Sequence, residues 1–188
     1  MCKPIVKEIR EKNNYDLDYL RSAAKKLFEA YEHKTPVPIV QIVTDAGFSI
    51  FAQDLPENIR GYIILSNEVK EDFGNDKVIV CNQHESFYRR RFTVAHEFGH
   101  FLFDPAAKNF AEYYDAFESD DHDSEIERTV NRFAAELLMP KDIFEERYNQ
   151  LKEQYTTKYD ICQSLSEYFA VPVTAVEKRF EEIEVVEG

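Results

Sequence analysis

Two histidines one helical turn apart, with a glutamate beside the first, stand in the segment Arg91-Phe92-Thr93-Val94-Ala95-His96-Glu97-Phe98-Gly99-His100-Phe101-Leu102-Phe103. On a helix, side chains at i and i+4 point the same way, so His96 and His100 can fill two corners of a zinc tetrahedron while Glu97 reaches a water in an open corner. Zinc lowers the pKa of such a water from about 15.7 to about 7, and a carboxylate base can then deliver it to a peptide carbonyl. The pattern is hydrolytic machinery.

The competing reading is an ordinary helix with a solvated polar face, because so short a motif arises by chance. Winding the segment at about 3.6 residues per turn puts Thr93, His96, Glu97, His100 and Asp104 in one stripe. Val94, Ala95, Phe98, Phe101 and Leu102 lie opposite, and Phe92 and Phe103 close the stripe's near side. A polar strip hemmed by aromatics is unlike a solvated face, and a partly buried carboxylate is costly unless something partners it.

A catalytic zinc needs a third protein ligand. The metzincin pattern requires Gly at position 103 and His at 106, where this chain has Phe103 and Ala106, so the ligand must come from a downstream helix. The segment from Glu125 to Pro140 offers Glu125, Glu127 and Glu136. With Ile126, Val130, Phe133 and Leu137 as the buried stripe, Glu127 and Asn131 lie along its edge, and Glu125, Arg132 and Glu136 fall on the far side. Asn131, one turn after Glu127, is placed to hydrogen-bond a ligand imidazole and fix its tautomer. The small pair Ala134-Ala135 would let this helix approach Gly99, whose place inside a helix otherwise costs about 1 kcal/mol relative to Ala. Glu127 has a second possible role, because Ser124-x-x-Glu127 is also a capping box. His122 is a rival ligand, although it sits among Asp120, Asp121 and Asp123 like a solvated loop residue. The His pair upstream favours Glu127.

These residues need elements to hold them. Apolar spacing predicts an amphipathic helix from Tyr15 to Glu32 and a short helix from Pro38 to Ala46 that ends at Gly47. Three β-rich runs follow, Phe48–Ala52, Gly61–Leu65 and Lys77–Cys81, suggesting a small twisted sheet. A helix from Phe87 to Phe103 stops at Asp104-Pro105, a polar aromatic loop runs from Ala106 to Asp123, and a ligand helix spans Ser124 to Met139. That loop is long for a compact domain, which marks it as mobile or functional. Beyond Pro140 the chain reads as helices separated near Thr156 and Pro172. The expected fold class is α+β in a single domain over 1–188, with a helical segment at 1–36, the catalytic core at 37–140 and a helical extension at 141–188.

The 188 residues suit one substantial core. No apolar run approaches the roughly 20 residues of a bilayer span, and the N-terminus turns charged before any signal-peptide core can form, so a soluble, cytoplasmic protein is expected. Cys2, Cys81 and Cys162 are far apart and outside any Cys-x-x-Cys spacing, so a metal must be held by His and carboxylate. A net charge of -13 would repel a phosphate backbone, making nucleic acid a poor direct partner.

The string from Arg91 to His100, followed by Glu127-x-x-x-Asn131-x-Phe133-Ala134-Ala135-x-Leu137-Leu138-Met139-Pro140, resembles the ImmA/IrrE family of metallopeptidases. The resemblance covers the chain from about the second helix to Pro140, departing locally at Thr129-Val130. It implies a zincin-like, gluzincin arrangement with His96, His100 and Glu127 as zinc ligands and Glu97 as the base. It also implies a regulatory protease that cuts a helix-turn-helix repressor to release mobile-element or stress genes. With no fused DNA-binding domain evident, that repressor would be a separate polypeptide.

Asp160 to Phe180 itself looks like a helix-turn-helix, but from Lys141 onward 6 basic residues face 11 acidic ones, a balance of -5, which points to packing or partner docking. Leu165, Phe169, Val176 and Phe180 are the expected core there. Tyr88, Tyr113, Tyr114 and His122 are candidates for stabilising the oxyanion. The principal alternative is a module that grips a repressor or antitoxin without cutting it, and Glu97 argues for the enzyme, since a binder has no chemical use for a base beside a metal. A His-His-carboxylate set also suits manganese or iron.

Overall fold

The computed structural model describes residues 2–12, 14–108, 112–116 and 125–187. In chain order the elements are α1 (Cys2–Glu11), α2 (Leu17–Ala30), α3 (Ile39–Asp45), β1 (Ser49–Gln53), β2 (Gly61–Ser66), α4 (Lys70–Phe73), β3 (Lys77–Asn82), α5 (Phe87–Phe103), α6 (Pro105–Lys108), β4 (Glu112–Ala116), α7 (Glu125–Leu138), α8 (Lys141–Lys152), α9 (Lys158–Phe169) and α10 (Val173–Glu187). The α+β class holds, and each predicted helix and strand falls on an observed one.

The sheet has the order β1-β3-β2-β4, with β1 parallel to β3 and the other pairs antiparallel. Ile63, Leu65, Ile79 and Cys81 point from one face into the main core. Ile64, Val78 and Val80 point to the other face, where Phe51, Leu55, Val69 and Phe73 cover them. Both faces of β2 and β3 are therefore dry, which is why these strands read as continuous apolar runs. The α5 helix lies under β2 and β3, and α7 lies against α5 and α2.

Two close approaches set this stack. A Cβ on Gly61 would sit 2.5 Å from Thr93 Cγ2 and 2.6 Å from Val80 O, so glycine lets the sheet rest on α5. A Cβ on Gly99 would meet Val130 Cβ at 3.0 Å, bringing the α5 and α7 backbones together. The expected partner of Gly99, the pair Ala134-Ala135, is thus replaced by Val130, with Phe133 beside it.

The loop expected from Ala106 to Asp123 is corrected in part. Its start belongs to α6, and residues 112–116 form β4, which pairs with β2 from Tyr62↔Ala116 to Ser66↔Glu112. Within the N-terminal segment expected to be helical, α1 was not singled out as an element; it buries Cys2, Val6 and Ile9 in the main core, and Arg10 donates to Ala107 O at 3.1 Å.

At the other end, α9 and α10 pack rather than project: Leu165, Phe169, Val176 and Phe180 are all buried. Phe144 of α8 stacks on Phe169 and meets Phe180 edge-on. The buried Arg91 donates to Ala170 O at 3.0 Å and Val37 O at 2.7 Å, tying the first half of α5 to the α9–α10 junction and to the chain entering α3. Among the described residues, no helix is long and apolar enough to cross a membrane.

Candidate metal centre

The Ser86 hydroxyl accepts the Arg89 backbone N–H and starts α5, and Asp104 ends it before Pro105, so residues 96 and 100 lie well inside a regular helix. Their rings are 4.9 Å apart between centroids. His96, Glu97 and His100 are only 3%, 1% and 2% exposed, which rules out the solvated-face reading of this stripe.

From α7, Glu127 turns its carboxylate to both imidazoles. Glu127 Oε1 lies 3.1 Å from His100 Nε2, Glu127 Oε2 lies 3.5 Å from His96 Nε2, and the two Nε2 atoms are 3.2 Å apart. The second role weighed for Glu127, a capping box, would start at Ser124, which lies outside the described residues, as does the rival His122.

The other ring nitrogens fix the tautomers. His96 Nδ1 lies 3.1 Å from Asn131 Oδ1, and His100 Nδ1 lies 3.5 Å from Asp104 Oδ2. Those oxygens only accept, so each Nδ1 carries the proton and each Nε2 presents its lone pair. Burial, and next the neighbouring His100, hold the His96 imidazole down to about 4 against the pull of Glu127 and Asn131. It is neutral near pH 7, so a proton on His96 does not reconcile the facing lone pairs and the carboxylate.

A divalent cation does. A tetrahedron with bonds of about 2.0–2.2 Å has edges of about 3.3–3.6 Å, close to the three donor separations. His96, His100 and Glu127 together form a group whose ligand atoms lie within 4.8 Å of one another. Nitrogen and oxygen donors in this number suit a first-row divalent ion.

Glu97 sits on the same helix toward β3. Burial, and next the Glu97 charge, push the Cys81 thiol up to about 12, so this cysteine stays a neutral core side chain. Cys2 and Cys162 are buried as well.

The remaining glutamates separate cleanly. Glu125 is exposed, and its carbonyl accepts the Thr129 hydroxyl at 2.8 Å. Glu136 does fall away from the two imidazoles, but it is buried in a bidentate pair with Arg179, at 2.6 and 2.8 Å, and receives Arg21 Nε at 3.0 Å. Of the oxyanion candidates, Tyr88 lines a shallow depression with Gln163 and Val173, apart from the imidazoles. Tyr113 and Tyr114 fall on β4, whose side chains are outside the described set.

Two features escaped the sequence reading. Asp104 was placed in the polar stripe without a task, although its i+4 spacing from His100 was the available signal. The second is a cavity of about 390 Å³ that begins at His96 and Asn131 and extends between α5, α7 and α10. Phe92, Thr93, Ala135, Pro172, Thr174 and Ala175 complete its uncharged lining.

The family model described as Peptidase_M78, the IrrE N-terminal-like domain, matches residues 45–181, well over half of the chain. It spans β1 through most of α10 and contains every residue of the constellation above. No curated protein matches the sequence.

Proposed function

The chain belongs to the ImmA/IrrE metallopeptidase family that this IrrE N-terminal-like domain defines, and from that premise we propose that it is a zinc-dependent endopeptidase of the gluzincin type acting on a separate helix-turn-helix repressor. The observation that most supports the reading is the convergence of His96 Nε2, His100 Nε2 and the Glu127 carboxylate at 3.1–3.5 Å beside the buried Glu97. His96, His100 and Glu127 would hold the ion. A bound zinc supplies Lewis acidity toward a carbonyl and makes a water acidic enough to be a nucleophile near pH 7.

The protein's own residues carry the rest. Asn131 and Asp104 hold the two imidazoles in the tautomer that presents Nε2. Glu97 takes a proton from the attacking water as its oxygen bonds to the scissile carbonyl carbon, and returns that proton to the amide nitrogen as the C–N bond breaks. The products are a carboxylic acid and an amine, so the proton count closes without another acid. Repressor cleavage in the cytoplasm, releasing mobile-element or stress genes, is the regulatory role we infer for it.

The test is Glu97→Gln. This variant keeps the three donor side chains, so it should hold its metal, while cleavage of a co-expressed repressor falls about 10²–10⁴-fold. Products are read by mass spectrometry and metal by elemental analysis. Repressor loss that continues undiminished in the variant favours a non-cleaving binder.

A further inference from the structure

The cavity beside His96 inverts the charge of the chain. Overall, 36 acidic residues outnumber 23 basic ones. Among the described residues lining this cavity, Arg60, Arg89, Arg128, Arg132, Lys178 and Arg179 are cations, and Glu182 is the sole carboxylate. Arg179 is already held by Glu136, and Glu182 reaches Arg179 at 3.3 Å. With Arg21 also on Glu136, that partly buried group of two cations and two carboxylates sums to zero. Five further cations surround the opening.

Arg128 and Arg132 are a like-charged i,i+4 pair on α7, a spacing that weakens a helix. Arg60, Arg128, Arg132 and Lys178 are all exposed, and they come from the start of β2, α7 and α10. Arg89, on α5, has its nearest carboxylate, Glu85, at a loose 3.9 Å. Gathering like charges from separate elements around one concavity focuses a positive field there, in a molecule whose distant field is negative.

Resting on the peptidase reading above, we infer that this cavity recognises an acidic segment of the protein substrate, with carboxylates flanking an apolar residue next to the scissile bond. Guanidinium groups pair with carboxylates in forked geometry, and Phe92, Ala135 and Ala175 add apolar surface to the same lining. Nucleic acid fits less well. A cavity of about 390 Å³ does not admit a duplex, and a chain of charge -13 repels phosphate outside this one patch.

The experiment measures binding and cleavage separately. Zinc-loaded Glu97→Gln protein is titrated by fluorescence anisotropy against a short labelled peptide with glutamates on either side of an apolar centre, against glutamine and lysine versions, and against a single-stranded oligonucleotide. The expected result is binding of the glutamate peptide at least roughly tenfold tighter than the others at low salt, weakening as salt rises. That preference should vanish in the Arg132→Glu/Lys178→Glu variant, with its thermal unfolding checked, and shrink in the charge-neutral Arg132→Gln/Lys178→Gln variant. Equal affinities, a lysine preference, no binding by any peptide, or tighter binding of the oligonucleotide would each overturn the inference. Wild-type protein is then given the same peptides. A glutamate preference in binding with no peptide cut would sink the peptidase reading and leave acidic recognition standing.

Discussion

Replacing Arg179 by methionine should undock the C-terminal helix while leaving the metal donors in place. The Arg179 and Glu136 side chains are 1% and 4% exposed, and two short hydrogen bonds join them across α10 and α7. Methionine fills much of the arginine stem's volume but leaves Glu136 buried with only Arg21, itself a quarter exposed, to balance it. Breaking one side of a buried pair costs about 3–5 kcal/mol. For a chain of 188 residues, at an unfolding entropy of about 2.1 cal/mol/K per residue, that cost lowers Tm by roughly 8–13 °C. The double variant Glu136→Leu/Arg179→Met removes both charges and should recover most of the loss, because the desolvation penalty goes with them. Scanning calorimetry of the wild type, both single variants and the double variant measures this directly. A drop below about 2 °C in Arg179→Met, or a double variant as unstable as the single, would refute the assignment of this pair as the clamp between α7 and α10. Metal content should stay stoichiometric throughout, since the donors lie on α5 and the first turn of α7.

Three further outcomes are expected. Adding zinc to the chelated protein at about 1,000 times its Kd should stabilise it by about 4 kcal/mol, and Glu127→Gln should lose most of that gain together with its bound metal, read by thermal shift and elemental analysis. In the metal-free protein His96 is held below its ordinary 6.5, at about 4, so on acidification the unfolded chain takes the proton first. Stability should therefore fall as pH drops through that window and level off below it, and urea midpoints in His96→Gln should show a shallower fall. Gly61→Ala places a methyl 2.6 Å from the backbone oxygen of Val80, which cannot rotate away, so β2 and β3 must part at a cost of about 1–3 kcal/mol, measured by urea unfolding.

Much of the centre was legible because its geometry is local. His96, Glu97 and His100 share one helix, so spacing alone fixes which of them face together, and the same winding puts Asn131 one turn beyond Glu127. The helix α1 carried a readable signal too, with Cys2, Val6 and Ile9 at i, i+4 and i+7. β4 carried much less: Glu-Tyr-Tyr-Asp-Ala has no clean alternation, and it becomes a strand by pairing with β2. Winding α7 correctly turned Glu136 away from the imidazoles, but its partners lie 43 residues later and 115 residues earlier in the chain.

By itself the sequence determined the candidate donor types, their spacing within α5 and α7 and the family to which they belong, because a helix converts residue number directly into direction. Only the tertiary structure decided that the two helices meet through Gly99 and Val130 closely enough to bring Glu127 within 3.5 Å of both imidazoles. It also gathered cations from residues 60, 89, 128, 132 and 178 around one cavity of an acidic protein. Charge adds through space, and no pattern along the chain records which distant side chains will share a field.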